Sequence, residues 1–528
     1  MSYLQNLNPK AEVLRRSAAL QMNITAARGL QDLLKTNFGP KGTQKMLVSG
    51  GNEIRITKDG AVLLHEMQIQ LPTAALIART ATAQDDATGD GTTACILLIG
   101  ELLGQAMPYL SEGLHPRNIL EGFDIANKFA QEFIKKYSVS KEISYENIMQ
   151  IVNSSINTKI SKTLTKIMDP IVTKAILTIY RPDTFLDLNM VEIMAMRHQT
   201  AAECELIRGL VCDHGARHSK MPTSLGNSHV LIMNVNLEFE ATELQAKMVY
   251  KDAETRGEMG EMEREFVARR VNKIIDLKNE VCKNGEGFVI FNMKGIDVDS
   301  LEKLAEHGIL ALRRIKRRNL ERLTLACGGM AINTLDKLGP EVLGEANSVR
   351  EINIGDDKFT VTEGVESSLS CTILVKGSSQ HEILQIKDVI RDALRAAKNF
   401  IEDGAVVAGA GAFEIACHKA LMEYKKTVSG KAKLGVEAFA KALLTIPKTL
   451  ASNAGFDPQE TFINILDRED DVFAGIDLET GESFNPIEAG IWDNVNVKQQ
   501  LLNSATSIAG ELLLVDEIIK SGREIRSE

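Results

Sequence analysis

The residue periodicity changes twice along this chain, and that pattern constrains the fold more than any single motif. From Ala11 to Lys35, and again over residues 73–134, the sequence is rich in Ala, Leu, Gln and Arg and reads as helix. Residues 386–453 and 496–521 read the same way. The middle differs. Val230–Val235 and Gly287–Asn292 read as buried strands, and Glu261–Asn279 reads as a charged amphipathic helix. From residue 285 to 377, short apolar runs alternate with glycines, which suggests α/β layering. Two helical parts therefore bracket a mixed one, as when a second domain is inserted between the halves of the first. Local signals refine this. Asn8-Pro9 predicts a helix start, and Gly39-Pro40-Lys41-Gly42 a stop. Gln44–Val48 and Glu53–Thr57, split by Gly50-Gly51-Asn52, predict a hairpin. The 73–134 stretch breaks at Gly89–Gly91 and Leu114–Arg117.

Length and charge narrow the function classes. At 528 residues the chain has room for three or four domains, each able to bury its own core. Lys+Arg is 61 and Asp+Glu is 71, a net charge of 61 − 71 = −10, which argues against a dedicated nucleic-acid binder. One local exception is Arg313-Arg314-Ile315-Lys316-Arg317-Arg318, five cations in six residues. It is either a solvated face or a site for an acidic partner. No aromatic residues interleave with it, so RNA is discounted. No apolar run reaches the roughly 18 residues that would span a bilayer, and Met1 to Arg16 has no apolar signal-peptide core. The seven cysteines are scattered without a CxxC, which predicts small buried hydrophobes in a reducing compartment. There is no HExxH, no GxSxG and no Walker A loop.

Three glycine loops carry the strongest chemical signal. Gly89-Asp90-Gly91-Thr92-Thr93 leads into the helical run Ala94–Met107. Such glycines let backbone N–H groups aim at an anion, and a helix N-terminus adds partial positive charge. Asp90 is wrong beside bare phosphate, but it fits if Mg²⁺ lies between them. Gly39-Pro40-Lys41-Gly42-Thr43 and Gly409-Ala410-Gly411-Ala412 are the other two. Each alone is a turn by default; together they make a phosphate site only if folding brings them together. Asp59, directly after a strand, and Asp392, on a helix, could position or deprotonate an attacking water. For an isolated Asp, a cap or a surface charge is the plainer reading.

In order and spacing, Asn37-Phe38-Gly39-Pro40-Lys41-Gly42, Thr57-Lys58-Asp59-Gly60, Gly89-Asp90-Gly91-Thr92-Thr93 and Gly409-Ala410-Gly411 resemble the group II chaperonins over essentially the whole chain. Leu7–Glu12, Leu210–His218, Ala311–Gly329 and Gly490–Asn494 point further, to the subunits of the eukaryotic cytosolic chaperonin. The resemblance implies a multidomain α and α/β chaperonin fold. A discontinuous helical equatorial ATPase domain would comprise 1–142 and 400–528, and a small intermediate hinge domain 143–211 and 366–399. An inserted α/β apical substrate-binding domain would comprise 212–365, with a helical lid protrusion at 237–270.

Carried over residue by residue, the resemblance makes Gly39, Gly91, Thr92 and Thr93 phosphate contacts, with Pro40 and Gly409 in the same glycine loops. It makes Asp90 the Mg²⁺ ligand, and Asp59 and Asp392 the pair that positions the hydrolytic water. Gly411, Asp493 and Lys498 would line the adenine and ribose side, and Thr158 and Lys159 would approach from the hinge domain. Ala94 departs from a common Ser, and Ala410 interrupts a glycine triplet. The implied cofactors are ATP/ADP and Mg²⁺. The implied activity is ATP hydrolysis coupled to enclosing unfolded proteins in a cytoplasmic double ring built with seven other chaperonin subunits. Actin and tubulin are implied clients, and a prefoldin-like co-chaperone a partner of Arg313, Arg314, Lys316, Arg317 and Arg318. No nucleic acid or membrane partner is expected. The competing readings are a structural ring member with weak nucleotide turnover and a small-molecule ATP-dependent transferase. The second lacks any kinase catalytic-loop or DFG motif.

Overall fold

The computed structural model describes residues 12–15, 17–48, 51, 54–182, 184–197, 200–238, 253–283, 285–354, 357–364, 368–466 and 472–520. The expected helix start at Asn8-Pro9, and residues 239–252 of the expected protrusion, lie outside that set. The chain divides into two units. One combines the residues up to Asp169 with those from Asp388 onward; the other is Pro170–Lys387.

The first unit is built on long helices: Ser17–Lys35, Pro72–Thr88, Thr92–Ser111, Pro116–Tyr137, Ala432–Leu443 and Val495–Leu514. Thr92–Ser111 is its centre, with Cys95, Ile96, Leu98, Ile99, Leu102 and Leu103 wholly buried in the core. By length and composition this helix could cross a bilayer, which corrects the expectation that no segment could. Its mean hydropathy is high even though Glu101 and Gln105 interrupt it, and more than half of it is buried inside the unit. Helices Pro116–Tyr137 and Ala432–Leu443 cross closely because Gly122 and Gly435 face each other there. A Cβ on Gly435 would lie 2.5 Å from the Ile119 carbonyl oxygen. Phe123 and Phe439 then meet edge to face at 6.1 Å.

Short strands close the unit at several places. Lys45–Val48 and Ile54–Thr57 form the expected hairpin, with Met46 opposite Ile56 and Val48 opposite Ile54. Ala405–Ala408 is the middle strand of three, antiparallel to Trp492–Asn494 and to Val139–Ser140. Glu12–Arg15, expected as helix, is a strand paired antiparallel with Glu517–Lys520. Its partner lies some five hundred positions away, and helical propensity is a weak prior against such a non-local pairing.

The second unit holds a six-stranded sheet, in the order Ile309–Leu312, Gly287–Asn292, Ser224–Met233, Gly344–Ile354, Asp357–Glu363, Gly209–Cys212. Its first three strands are parallel and its last three antiparallel to their neighbours. Gly287–Asn292 is buried along its whole length, as a covered parallel strand should be. Ala253–Val281 is one long helix, which contains the charged helix read from Glu261 to Asn279. A smaller sheet centres on Cys371–Lys376. Beside it, buried Arg322 is ion-paired with Glu192 and donates to the Asn189 carbonyl and to Asn319. All seven cysteines are free, and six are buried. Burial pushes the thiols of Cys95, Cys327 and Cys371 up to about 12, so they act as inert packing groups.

Candidate active site

The nucleotide-type features read from the sequence converge within the first unit. Gly91, with φ of 85°, caps the Thr92–Ser111 helix without a side-chain hydrogen bond. A side chain there would be strained and would press on Val497, 3.1 Å from the Cβ position. The first amides of a twenty-residue helix are thus left without a side-chain cap, as an anion site requires. Gly411, with φ of 77°, caps Ala412–Tyr424 in the same uncapped manner. Gly39 also has positive φ, at 80°. A Cβ on Gly39 would strike Leu450, and one on Gly411 would lie 2.9 Å from Pro447. Both loops therefore pack on the Thr445–Ala454 helix. Ala410 keeps the left-handed conformation that a glycine would hold without strain, with φ of 52°. Ala94 is buried in the core.

The carboxylates gather beside these loops. Asp59 accepts from the Ala61 N–H at 3.3 Å and so caps a short helix, as the plainer reading anticipated. The same turn brings Gly60 against Thr93, whose Oγ1 lies 2.6 Å from a Cβ built there. Lys58 donates to the Pro40 carbonyl at 3.2 Å, tying this loop to the Gly39 loop. Burial lowers the Lys58 ammonium to about 8. Asp90 accepts from the Gly91 N–H at 2.7 Å. Asp392 is buried and ion-paired with Lys159. Burial pushes its carboxyl up to about 7; Lys159 opposes the shift, while Asp59 and Asp85 add to it. Burial alone would lower the Lys159 ammonium, but Asp392, Asp59 and Asp90 outweigh burial and hold it above the ordinary lysine value. Thr158 is next to this lysine in sequence, but its hydroxyl donates to the Ser155 carbonyl.

Two neighbours were not read from the sequence. Asp85 is raised by burial and by Asp59 and Asp90, and lowered by Lys159 and Arg395. Arg395 donates to the Asp85 carbonyl at 3.0 Å and lies across Gly89. Four acids, Asp59, Asp85, Asp90 and Asp392, thus face two cations, Lys159 and Arg395. This surplus of negative charge suits a divalent cation carried in with a polyphosphate, and it disfavours a bare anion. Among the described residues no cluster of three or more His, Cys, Asp or Glu forms a ready-made metal cage. Mg²⁺ needs none, because one or two carboxylates plus phosphate oxygens suffice. The residues present therefore fit a magnesium-bound nucleotide.

Strand pairing supplies the other flank. Asp493 lies opposite Val407, two residues before Gly409, and its Oδ1 is 3.5 Å from the Cβ position of Gly409. Its Oδ2 accepts from Lys498 at 2.9 Å. Lys498 follows Val497, the residue against Gly91.

The basic run lies in the second unit, at the turn between Ile309–Leu312 and the Arg317–Cys327 helix. Its charge is largely answered locally. Arg313 and Arg314 lie 3.5 and 3.7 Å from Glu238, Lys316 3.3 Å from Asp213, and Arg317 3.2 Å from Glu321. Arg318 is exposed.

Residues 30–523 match the TCP-1/cpn60 chaperonin family. The chain is 52% identical over 525 residues to human T-complex protein 1 subunit zeta-2, covering 99% of each chain. It is 53% identical over 525 residues to the mouse protein of the same name, again covering 99% of each. A chain that carries this fold, with identity of that extent along nearly its full length, belongs to the TCP-1/cpn60 chaperonin family.

Proposed function

We propose that this chain is an ATP-dependent chaperone subunit of the cytosolic hetero-oligomeric double ring, hydrolysing ATP to enclose unfolded proteins. The observation that carries the reading is the convergence of Asp59, Asp90, Asp392 and Lys159 beside three glycine loops drawn from distant parts of the sequence. The three-domain division implied by the resemblance goes with it: equatorial 1–142 and 400–528, intermediate 143–211 and 366–399, apical 212–365.

The chain's own residues divide the work. The unbonded amides after Gly91, with Thr92 and Thr93, bind the phosphates. Asp90 holds Mg²⁺, which when bound neutralises phosphate charge and polarises the bond to be broken. Asp59 orients a water, and Asp392 accepts its proton. Lys159 keeps the Asp392 carboxylate in place and offsets its charge. To swing a closed state from about 1% to about 99% populated, bound nucleotide must favour closure by roughly 5.5 kcal/mol. Several charge-assisted contacts are of that order. A partly folded client exposes apolar surface that aggregates through the forces that fold it, and enclosure prevents the encounter.

The raised Asp392 pKa gives a pH test. A base must be ionised, so activity falls as pH drops through the folded-state value of about 7. We expect kcat/KM, which reports the free enzyme, to carry an acid limb with its midpoint near 7. A profile flat from pH 6 to 8 contradicts the assignment.

Ring neighbours explain the hairpin. Met46 and Val48 are 61% exposed, Ile54 43% and Ile56 38%, and their register puts all four on one face. The next subunit in the ring covers that face. The basic run adds electrostatic contacts to clients or to an acidic co-chaperone. Because each of Arg314, Lys316 and Arg317 has an acidic neighbour, changing them to Gln tests this more cleanly than reversing their charge. Client capture should weaken at low salt and return towards wild type at high salt. Equal capture at both contradicts the contact.

A further inference from the structure

Lys498 lies almost wholly inside the protein between two carboxylates. Its Nζ is 2.6 Å from Glu414 Oε1 and 2.9 Å from Asp493 Oδ2. Glu414 is 1% exposed, and its second oxygen, Oε2, is buried without a hydrogen-bond partner. Asp493, by contrast, has 38% of its side chain exposed and faces the Gly409 loop. The three residues come from different elements. Glu414 is in the first turn of Ala412–Tyr424, Lys498 is on Val495–Leu514, and Asp493 is on the Trp492–Asn494 strand.

A buried carboxylate in the first turn of a helix is favoured by the helix dipole. That does not account for an ammonium drawn into the interior to meet it. A lysine placed against Asp493 alone could settle on both its oxygens and turn the carboxylate away from solvent. Glu414 holds the ammonium from the other side, so that Asp493 gives up one oxygen and keeps the other towards the glycine loop. Two carboxylates around one ammonium also leave a net negative charge, which suits an acceptor for sugar hydroxyls rather than for phosphate.

We propose that Glu414 is a positioning residue for the nucleoside end of the site, acting through Lys498 to fix Asp493 as a hydrogen-bond acceptor for the nucleotide's ribose. This rests on the nucleotide site proposed above. It adds a residue that makes no ligand contact itself.

The test uses the assembled ring with this subunit as wild type, E414Q, D493N or E414Q/D493N. Binding of 8-azido-ATP is titrated by photolabelling and quantified on this subunit by mass. We expect D493N to raise the apparent Kd on the order of tenfold, as for loss of a hydrogen bond to a charged group. E414Q should do nearly the same, with turnover at saturating ATP within about twofold of wild type. The double variant should bind no more weakly than D493N alone. If D493N is weak and E414Q binds as wild type, the proposal fails and the site reading stands. The same holds if the two losses multiply, or if E414Q lowers saturated turnover without changing affinity. If D493N binds normally, Asp493 does not hold the ribose and the proposal falls, while the phosphate and metal end of the site, read from other residues, stands; if the wild-type subunit takes no label, the nucleotide reading itself falls. Should E414Q not assemble, E414D, which keeps the charge but draws the carboxylate back from Lys498, is titrated in its place: weaker labelling is expected, and wild-type affinity overturns the proposal.

Discussion

Changing Asp392 to Asn lowers nucleotide turnover at this subunit by roughly 10²–10⁴-fold, the range for loss of a general base. The substitution keeps the shape of the side chain and its place beside Lys159, so the loss is chemical. Asp392 is suited to the role because burial and its acidic neighbours bring its carboxyl to about 7, where a base is both ionised and strong enough at neutral pH. D392N should still take the 8-azido-ATP label, since the phosphate-binding amides and Asp90 are untouched. Measured in a ring whose other sites are inactive, turnover within a factor of about three of wild type would show that Asp392 serves only as a partner for Lys159.

Placing charge on the exposed hairpin face keeps the chain out of the ring. Met46 and Ile56 face each other across the hairpin with Val48 and Ile54 beside them, while Leu47, on the opposite face, packs against the core of the unit. An apolar strip on a two-stranded ribbon is an aggregation hazard unless something covers it. Burying side chains of this kind is worth about 1.5–3 kcal/mol each when complete, so four make a substantial share of a subunit contact. M46D/I56D should fold, because those positions are exposed in the isolated chain. It should then run as free subunit by gel filtration of a tagged chain co-expressed with its partners. Incorporation equal to wild type would mean that the neighbour sits elsewhere.

Much of the architecture was legible because it is local. The hairpin, the breaks at Gly89–Gly91 and Leu114–Arg117, and the strands at 230 and 287 follow from turn residues and apolar runs that a short window captures. What escaped was non-local. Glu12–Arg15 becomes a strand only because Glu517–Lys520 lies beside it. Asp85, Arg395 and Glu414 joined the site for the same reason. Asp85 stands in an ordinary helical stretch and matters only because Asp59, Asp90 and Arg395 close around it. Glu414 did carry a signal, an acid in the first turn after a glycine loop, but that position is equally what a helix dipole favours. The basic run shows distant residues acting in the other direction. Five cations in sequence suggest an open positive patch, while Glu238, Asp213 and Glu321 come from elsewhere in the fold or from the next helical turn to answer them.

On the proposed reading, loops hundreds of residues apart hold one magnesium-bound nucleotide. Cryo-electron microscopy of the assembled ring with ADP and aluminium fluoride tests it most directly. Nucleotide density is expected in this subunit, with its phosphates on the amides after Gly91, the metal against Asp90, and Asp59 and Asp392 flanking the aluminium fluoride. A map with the ring formed, its other subunits occupied, and Asp59, Asp90 and Asp392 of this chain facing solvent without nucleotide between them would contradict it.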